Sequence, residues 1–323
     1  MAPTIAQSVG VDIAKDTLEV HLYPEGRRRQ FANEAAGWQS LIGWLGGLAV
    51  ARVVFEPTGR YHHGFERCLA AAGFAMVKLN PRQARRFAEA IGQPAKTDAV
   101  DAAMLARFGA LIEPPSRAVL SDTLDEMREL HVARRGLIKD RVATLNRAQA
   151  YRSWLLRGQV AARLKQINHQ LQAIDATLRR LLGSDVTLKS RFEILLSIPG
   201  LGEATALALL IEMPELGHLA NGSAASLAGL APVARDSGQH RGKRYIRSGR
   251  ASLRQALYMP ALVAARFNAD LKAKYQALLA AGKPPKLALT AIMRKLLVLA
   301  NSLLRDGRTW SARPPGPRQL QSS

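Results

Sequence analysis

Four acidic residues in the first third of the chain have the types and settings needed to hold divalent metal. Asp12 lies in "VGVDIAKDTLEV", alternating with Val11 and Ile13 on what reads as a buried strand. A carboxylate there costs free energy unless it is paired or binds a cation. Glu56 ends the strand-like "ARVVFE" in the same way, just before Pro57. Asp98 and Asp101 in "AKTDAVDAAMLARFG" are three apart, so a helix sets them on one face. Two parallel strands carrying Asp12 and Glu56, with that helix docked beside them, would gather four carboxylates. Such a group repels itself until cations neutralise it, and a pair of Mg²⁺ ions, or Mn²⁺ in their place, would then serve phosphodiester chemistry. Each acid also has a plain reading as a solvated charge, and Asp98 as a helix cap. Asp16 and Glu19, beside Asp12, are read as solvated.

A second chemical candidate is the serine of "ARDSGQHRGKRYI". Ser237 follows Asp236, precedes Gly238, and sits among Arg235, Arg241, Lys243 and Arg244, with Arg247, Arg250 and Arg254 further on. A serine hydroxyl attacks phosphorus only with a base, a metal or electrostatic help. Clustered arginines would stabilise a phosphoryl-transfer transition state. Asp236 and His240 are nearby candidates for proton transfer. The residues alone leave two readings open: a loop hydroxyl that donates to phosphate, or a nucleophile. Upstream, "LLSIPGLGEATALALLIEM" resembles a helix–hairpin–helix in which Gly200 and Gly202 let a backbone phosphate approach free N–H groups at a helix start. An ordinary packing corner fits the same residues.

The elements that must position these groups follow from pattern. "QSVGVDIA", "TLEVHLY" and "RRRQFAN" are β-prone, and helix, strand, helix, strand, helix follow them. Three strands then that alternation is the element order of an RNase H-like α/β domain, expected over 1–116 up to the prolines of "EPPS". The actin-like sugar-kinase fold also opens on a "GVD" strand, but its later glycine-rich phosphate loops are missing here. Residues 121–183 hold no proline. Leu164, Ile167, Leu171, Ile174, Leu178 and Leu181 alternate spacings of three and four, a heptad seam. A helical coiled-coil connector is therefore expected over 117–186, with His131 and Thr144 interrupting the stripe of its first half. A mainly α-helical domain bearing the serine is expected over 187–305. The Pro-rich basic tail, 306–323, is expected to be disordered.

Composition narrows the partners. Lys and Arg number 46 against 25 Asp and Glu, a net charge of +21, which predicts attraction to nucleic acid. The most apolar late run is cut by Arg294 and Lys295, so no membrane span is expected. The N-terminus lacks a basic-then-apolar signal pattern, and a cytoplasmic protein is expected. The single cysteine, Cys68, excludes an intrachain disulfide and a Cys-based zinc cluster.

"GVDIAKDTLEV", "FEPTGRYH", "AKTDAVDAAMLARF", "SIPGLGEATA" and "GLAPVARDSGQHRGKRYIRSGRASLRQALYM" together resemble the DEDD transposases of the IS110 insertion-sequence family, which includes the Piv/MooV site-specific invertases. These motifs span nearly the whole chain in the family's order. The resemblance implies that Asp12, Glu56, Asp98 and Asp101 are the metal-binding tetrad of a RuvC-like domain. It implies that Ser237 becomes joined to DNA phosphate during strand exchange, in a composite site that can involve more than one protomer. It also implies donor and target double-stranded DNA as substrates, a structured bridge RNA as guide, and a homo-oligomer, dimer or tetramer. Gly200, Gly202, Arg235, Arg241, Lys243, Arg244, Arg247 and Arg250 are the expected nucleic-acid contacts. A junction-resolving nuclease would use the tetrad with water and no serine; a non-catalytic binding protein would need only the basic surface.

Overall fold

The computed structural model describes residues 6–93, 97–116, 119–234, 236–238, 240–242 and 244–311. Arg235, Lys243 and residues 312–323 of the expected tail lie outside the described residues, as do the side chains of His240 and Arg241. The chain separates into two compact units, 1–120 and 121–323.

In the first unit, β1 (Gln7–Ile13), β2 (Thr17–Tyr23) and β3 (Arg28–Ala32) are followed by α1 (Ala35–Leu45), β4 (Val50–Phe55), α2 (His63–Ala71), β5 (Met76–Lys78), α3 (Pro81–Ala90) and α4 (Asp98–Ile112). The strands form one sheet in the order β3-β2-β1-β4-β5. β1, β2 and β3 pair antiparallel, whereas β4 and β5 join parallel to β1 because helical crossovers precede them. Period-two alternation divides the strand side chains between two cores. Val9, Val11, Ile13, Val53 and Phe55 pack with Leu41 and Leu45 of α1 and Phe65 and Leu69 of α2. On the opposite face, Val54 and Val77 pack with Ala84 of α3 and Met104, Leu105 and Phe108 of α4.

The second unit is mainly helical: α5 (Asp122–Ala148), α6 (Trp154–Ser184), α7 (Val186–Leu196), α8 (Glu203–Glu212) and α9 (Asn221–Leu227). Four two-residue strands follow, β6 (Pro232–Val233), β7 (Asp236–Ser237), β8 (His240–Arg241) and β9 (Tyr245–Ile246), then α10 (Ala251–Phe267), α11 (Ala269–Ala280) and α12 (Pro285–Asp306). Helices α5 and α6 form an antiparallel hairpin, fastened where Arg134 Nε donates to Asp175 Oδ1 at 2.6 Å. Every position of the α6 seam is at least half-buried, and Ile167, Leu178 and Leu181 are buried. His131 and Thr144 do not interrupt the α5 stripe; both are buried in it.

Among the described helices α12 alone is long and apolar enough to cross a membrane. It serves as the core helix of its unit, packing Leu289, Ile292, Leu296 and Ala300 against α7, α9, α10 and α11. Its fully buried Asn301 accepts from Gly217 N at 2.8 Å and donates to Leu219 O (2.8 Å) and Asn221 Oδ1 (3.0 Å), satisfying a polar group that would otherwise be costly.

Candidate active site

The fold carries the four acids to one end of the sheet. β1 and β4 are parallel with Val11 opposite Phe55, so Asp12 and Glu56 are the next residues on adjacent strands. Glu56 follows Val54 by two and Asp12 follows Gly10 by two, which turns both toward the α4 face. Helix α4 lies directly on β1: a Cβ at Gly10 would overlap Ala102 O and Ala106 N, and one at Gly109 would overlap Ser8 Oγ. Ser8 at 109 and Gly10 at 102–106 mean that α4 runs antiparallel to β1. Asp12 therefore lies about 7 Å beyond Gly10 toward the helix start, and Asp98 about 6 Å before Ala102 along the axis. Arg52 Nη1 fixes the other end of α4 by donating to Gly109 O at 2.8 Å.

Asp98 is exposed and does not cap α4; Thr97 does, its side chain accepting from Val100 N at 3.3 Å. Asp12, Glu56 and Asp101 are half-buried, and each engages further partners within the protein. Glu19, read from sequence as a solvated charge, is directly opposite Asp12 on β2. Its Oε1 accepts from Gln30 Nε2 at 2.5 Å. The alternation of Leu18, Val20 and Leu22 was the signal for it, since it sends Glu19 to Asp12's face. A like charge opposite another is unfavourable, and the Gln30 amide offsets part of that cost at Glu19. Hard oxygen donors of this kind suit Mg²⁺.

Asn33 is a positioning residue that no motif announced. Its Nδ2 donates to Ala14 O (2.8 Å), just past Asp12, and to Tyr61 O (3.1 Å), in the loop after Glu56. Its Oδ1 accepts from Trp38 Nε1 at 2.9 Å, which fixes the amide orientation. One side chain thus ties together the loops that follow both acid-bearing strands.

Among the described residues, His62, His63 and Glu66 form the group whose ligand atoms lie close enough together to hold a metal ion. The imidazoles stack at 4.2 Å, and His62 Nε2 is 3.9 Å from Glu66 Oε2. That carboxylate oxygen already holds Lys78 Nζ at 2.6 Å, so an ammonium occupies the place a cation would take. Nitrogen-rich and lysine-filled, this cluster does not fit Mg²⁺. Burial first, then the charges of Lys78 and His63, push His62 down to about 4, with the Thr58 and Gly59 backbone opposing only in part. His62 is therefore neutral near pH 7.

In the second unit Ser237 is exposed near the tip of a small β excursion. β6 pairs with β9 at its base, and β7 pairs with β8 above, with Asp236 opposite Arg241 and Ser237 opposite His240. Gly238 adopts φ +55°, as a two-residue hairpin reversal requires. Asp236 makes a loose ion pair with Arg244 (3.9 Å), and Arg244 and Arg247 are exposed.

Arg250 has a different setting from its neighbours. Its Nη1 donates to Glu212 O and its Nη2 meets Glu215 Oε1, both at 2.5 Å. Glu212 is a hub: Oε1 meets His131 Nε2 and Arg135 Nη1, each at 3.1 Å, and Oε2 accepts from Ser252 Oγ. Burial alone would raise the Glu212 carboxyl, but the hydrogen bonds of His131 and Ser252 and the charges of His131 and Arg135 outweigh it and lower the pKa. The hub joins α5, α8 and the start of α10, where the serine loop re-enters the helices. Gly200 packs tightly on α10, with a Cβ position 3.1 Å from Pro260 O. Gly202 is exposed at the N-cap of α8, whose first-turn Glu203 pairs with Arg179 at 3.2 Å.

Two family models match in chain order. A transposase model of the DEDD IS110 type covers residues 9–152, and one described as transposase of the IS116/IS110/IS902 family covers residues 192–276. The pilin gene-inverting proteins of Moraxella bovis and Moraxella lacunata are each 28% identical over 94% of this chain and 98% of their own length. An uncharacterized insertion-element IS110 protein of Streptomyces coelicolor is 29% identical over 50% of this chain and 39% of its own. One transposase model spans the α/β unit and α5, the other lies within the helical unit, and together they define an enzyme of the transposase and DNA-recombinase class. The chain belongs to the IS110 transposase family.

Proposed function

We propose that this protein is an insertion-sequence transposase that cuts and rejoins DNA through Ser237, aided by divalent metal held in an RNase H-like, RuvC-type first domain. The three-part division at 117 and 187, with the α5–α6 hairpin as connector, belongs to this reading. What supports it is that Asp12 and Glu56 follow paired positions of the parallel strands β1 and β4, in a sheet of order 3-2-1-4-5, with α4, which bears Asp98 and Asp101, packed antiparallel on β1. Those four acids would hold Mg²⁺, which when bound offsets their repulsion and the charge on phosphate oxygens. Ser237 Oγ attacks phosphorus, its proton passes to a neighbouring base, and the P–O3′ bond breaks. The products are a phosphoserine ester on the 5′ strand and a free 3′-hydroxyl. Attack by another 3′-hydroxyl reverses these steps and joins new partners, so no external energy source is needed. His240, opposite Ser237 in register, and Asp236 are the candidate bases. Exposed Arg244 and Arg247 would hold the phosphate.

Donor and target DNA as substrates, a bridge RNA as guide, a homo-oligomeric state and a cytoplasmic site of action rest on the family resemblance. The test uses element-junction DNA labelled at either end, with the candidate RNA and Mg²⁺. Wild type should yield cleavage and a denaturation-resistant adduct; Ser237→Ala should yield neither, and Asp12→Asn should bind DNA without cutting it. Cleavage by Ser237→Ala at the wild-type rate would favour a metal-and-water junction nuclease instead.

A further inference from the structure

We infer that Lys15 and Arg60 form a clamp that holds the DNA phosphates on either side of the scissile one at the carboxylate site. The inference rests on the proposed metal-dependent cutting of DNA at that site. Lys15 lies in the turn after β1, three residues beyond Asp12, and Arg60 in the loop after β4, four beyond Glu56. Both side chains are exposed. Asn33 ties their loops together, since its one Nδ2 donates to Ala14 O (2.8 Å) and to Tyr61 O (3.1 Å). The carbonyl just before Lys15 and the one just after Arg60 are therefore neighbours. The two cations start from adjacent points at the acid-bearing end of the sheet.

Other cations of this unit are already engaged. Lys78 is held by Glu66 and Arg27 by Glu25, each at 2.6 Å, and Arg52 by Gly109 O at the far end of α4. Neither Lys15 nor Arg60 pairs with an acid among the described residues. Arg60 rests near the Tyr61 ring, 6.0 Å from its centre, which leaves its N–H donors for another partner. The electrostatics of the site call for such a pair. Asp12, Glu56, Asp98 and Asp101 repel an approaching polyanion. Metal there would offset the repulsion at the scissile phosphate alone; its neighbours along the strand would still meet the carboxylates' field. Cations at the rim cancel that cost, and N–H donors bonded to phosphate oxygens also fix where the strand lies. Contacts of this kind position DNA without reading its sequence.

The experiment pairs Lys15→Gln and Arg60→Gln with element-junction DNA that carries a neutral methylphosphonate at each flanking phosphate in turn. On unmodified DNA each variant should lower the slope of log K against log salt by about one, and Lys15→Arg and Arg60→Lys should restore most of it. Each Gln variant should also cut about tenfold more slowly at fixed Mg²⁺, with an unchanged unfolding midpoint because both side chains are exposed. A methylphosphonate at the phosphate held by the missing side chain should slow wild type by the same factor and that variant no further. Penalties of variant and methylphosphonate that multiply, or a wild type indifferent to every neutral linkage, overturn the clamp. An unchanged salt slope overturns it too, and that measurement needs no cutting. Asp12→Asn separates the clamp from the proposed metal site. If Asp12→Asn fails to cut and the penalties still multiply, only the clamp is wrong; if Asp12→Asn cuts at the wild-type rate, the metal site fails and the clamp with it.

Discussion

At the scale of single residues, the basic run around the serine divides into two kinds of arginine. Arg244 and Arg247 point outward, while Arg250 is held by the Glu212 carbonyl and the Glu215 carboxylate. Replacing Arg244 by Ala should lower the slope of log K against log salt for DNA binding by about one unit without changing stability. Arg250→Ala should leave that slope nearly unchanged and destabilise the second unit by about 3 kcal/mol, read from urea unfolding. Glu212 adds a pH signature. Its folded pKa lies below the ordinary 4.5, so its stabilisation is complete above 4.5 and is lost as pH falls through the lower folded value. Glu212→Gln should flatten that acid limb of the unfolding curve. None of this was legible in "RDSGQHRGKRYIRSGR", where all the arginines look alike. The partners of Arg250, Glu212 at the end of α8 and Glu215 just beyond it, lie 38 and 35 residues upstream, and only the fold brings them together.

At the scale of elements, the acid-bearing strand ends are set by packing that the sequence announces only in part. The strands, their alternation and the seam of α6 were legible, because burial on one face imposes a period that side chains must obey. Parallel pairing of β1 with β4 followed from the helical crossover. Two features were not legible. Asn33 lies in a plain "FANEAAG" turn, and its bonds to Ala14 O and Tyr61 O depend on loops far apart in sequence. His131 and Thr144 looked like breaks in a stripe, because a buried histidine is acceptable only once its partner Glu212 is known. Asn33→Ala should raise the Mg²⁺ concentration for half-maximal cleavage several-fold and lower stability by about 2 kcal/mol, since Trp38 Nε1 loses its acceptor. Gly10→Ala should be worse. Its methyl group would meet the α4 backbone, costing about 3 kcal/mol and moving Asp98 and Asp101 away from Asp12. His62 supplies the pH check for this unit. Its folded value of about 4 lies below the ordinary 6.5, so stability should fall as pH drops from 6.5 to 4, and His62→Gln should reduce that fall.

At the scale of the whole molecule, the proposed function gives each unit half of a chemistry. The first would supply oxygen ligands for a hard cation; the second presents a hydroxyl on an exposed loop. A net charge of +21 favours the approach of a polyanion to the chain. In the proposed reaction a carboxylate site alone would hydrolyse DNA, and the serine would keep the broken bond's energy in an ester that another strand can attack. The most direct test of this account is where the DNA ends up. Protein stopped in mid-reaction with Mg²⁺ and element-junction DNA should be denatured, digested with protease and nuclease, and sequenced by mass spectrometry. The account predicts a nucleotide phosphate on the peptide containing Ser237, absent from Asp12→Asn protein. Cut DNA with no modified peptide, or a nucleotide attached to any other residue, would contradict it.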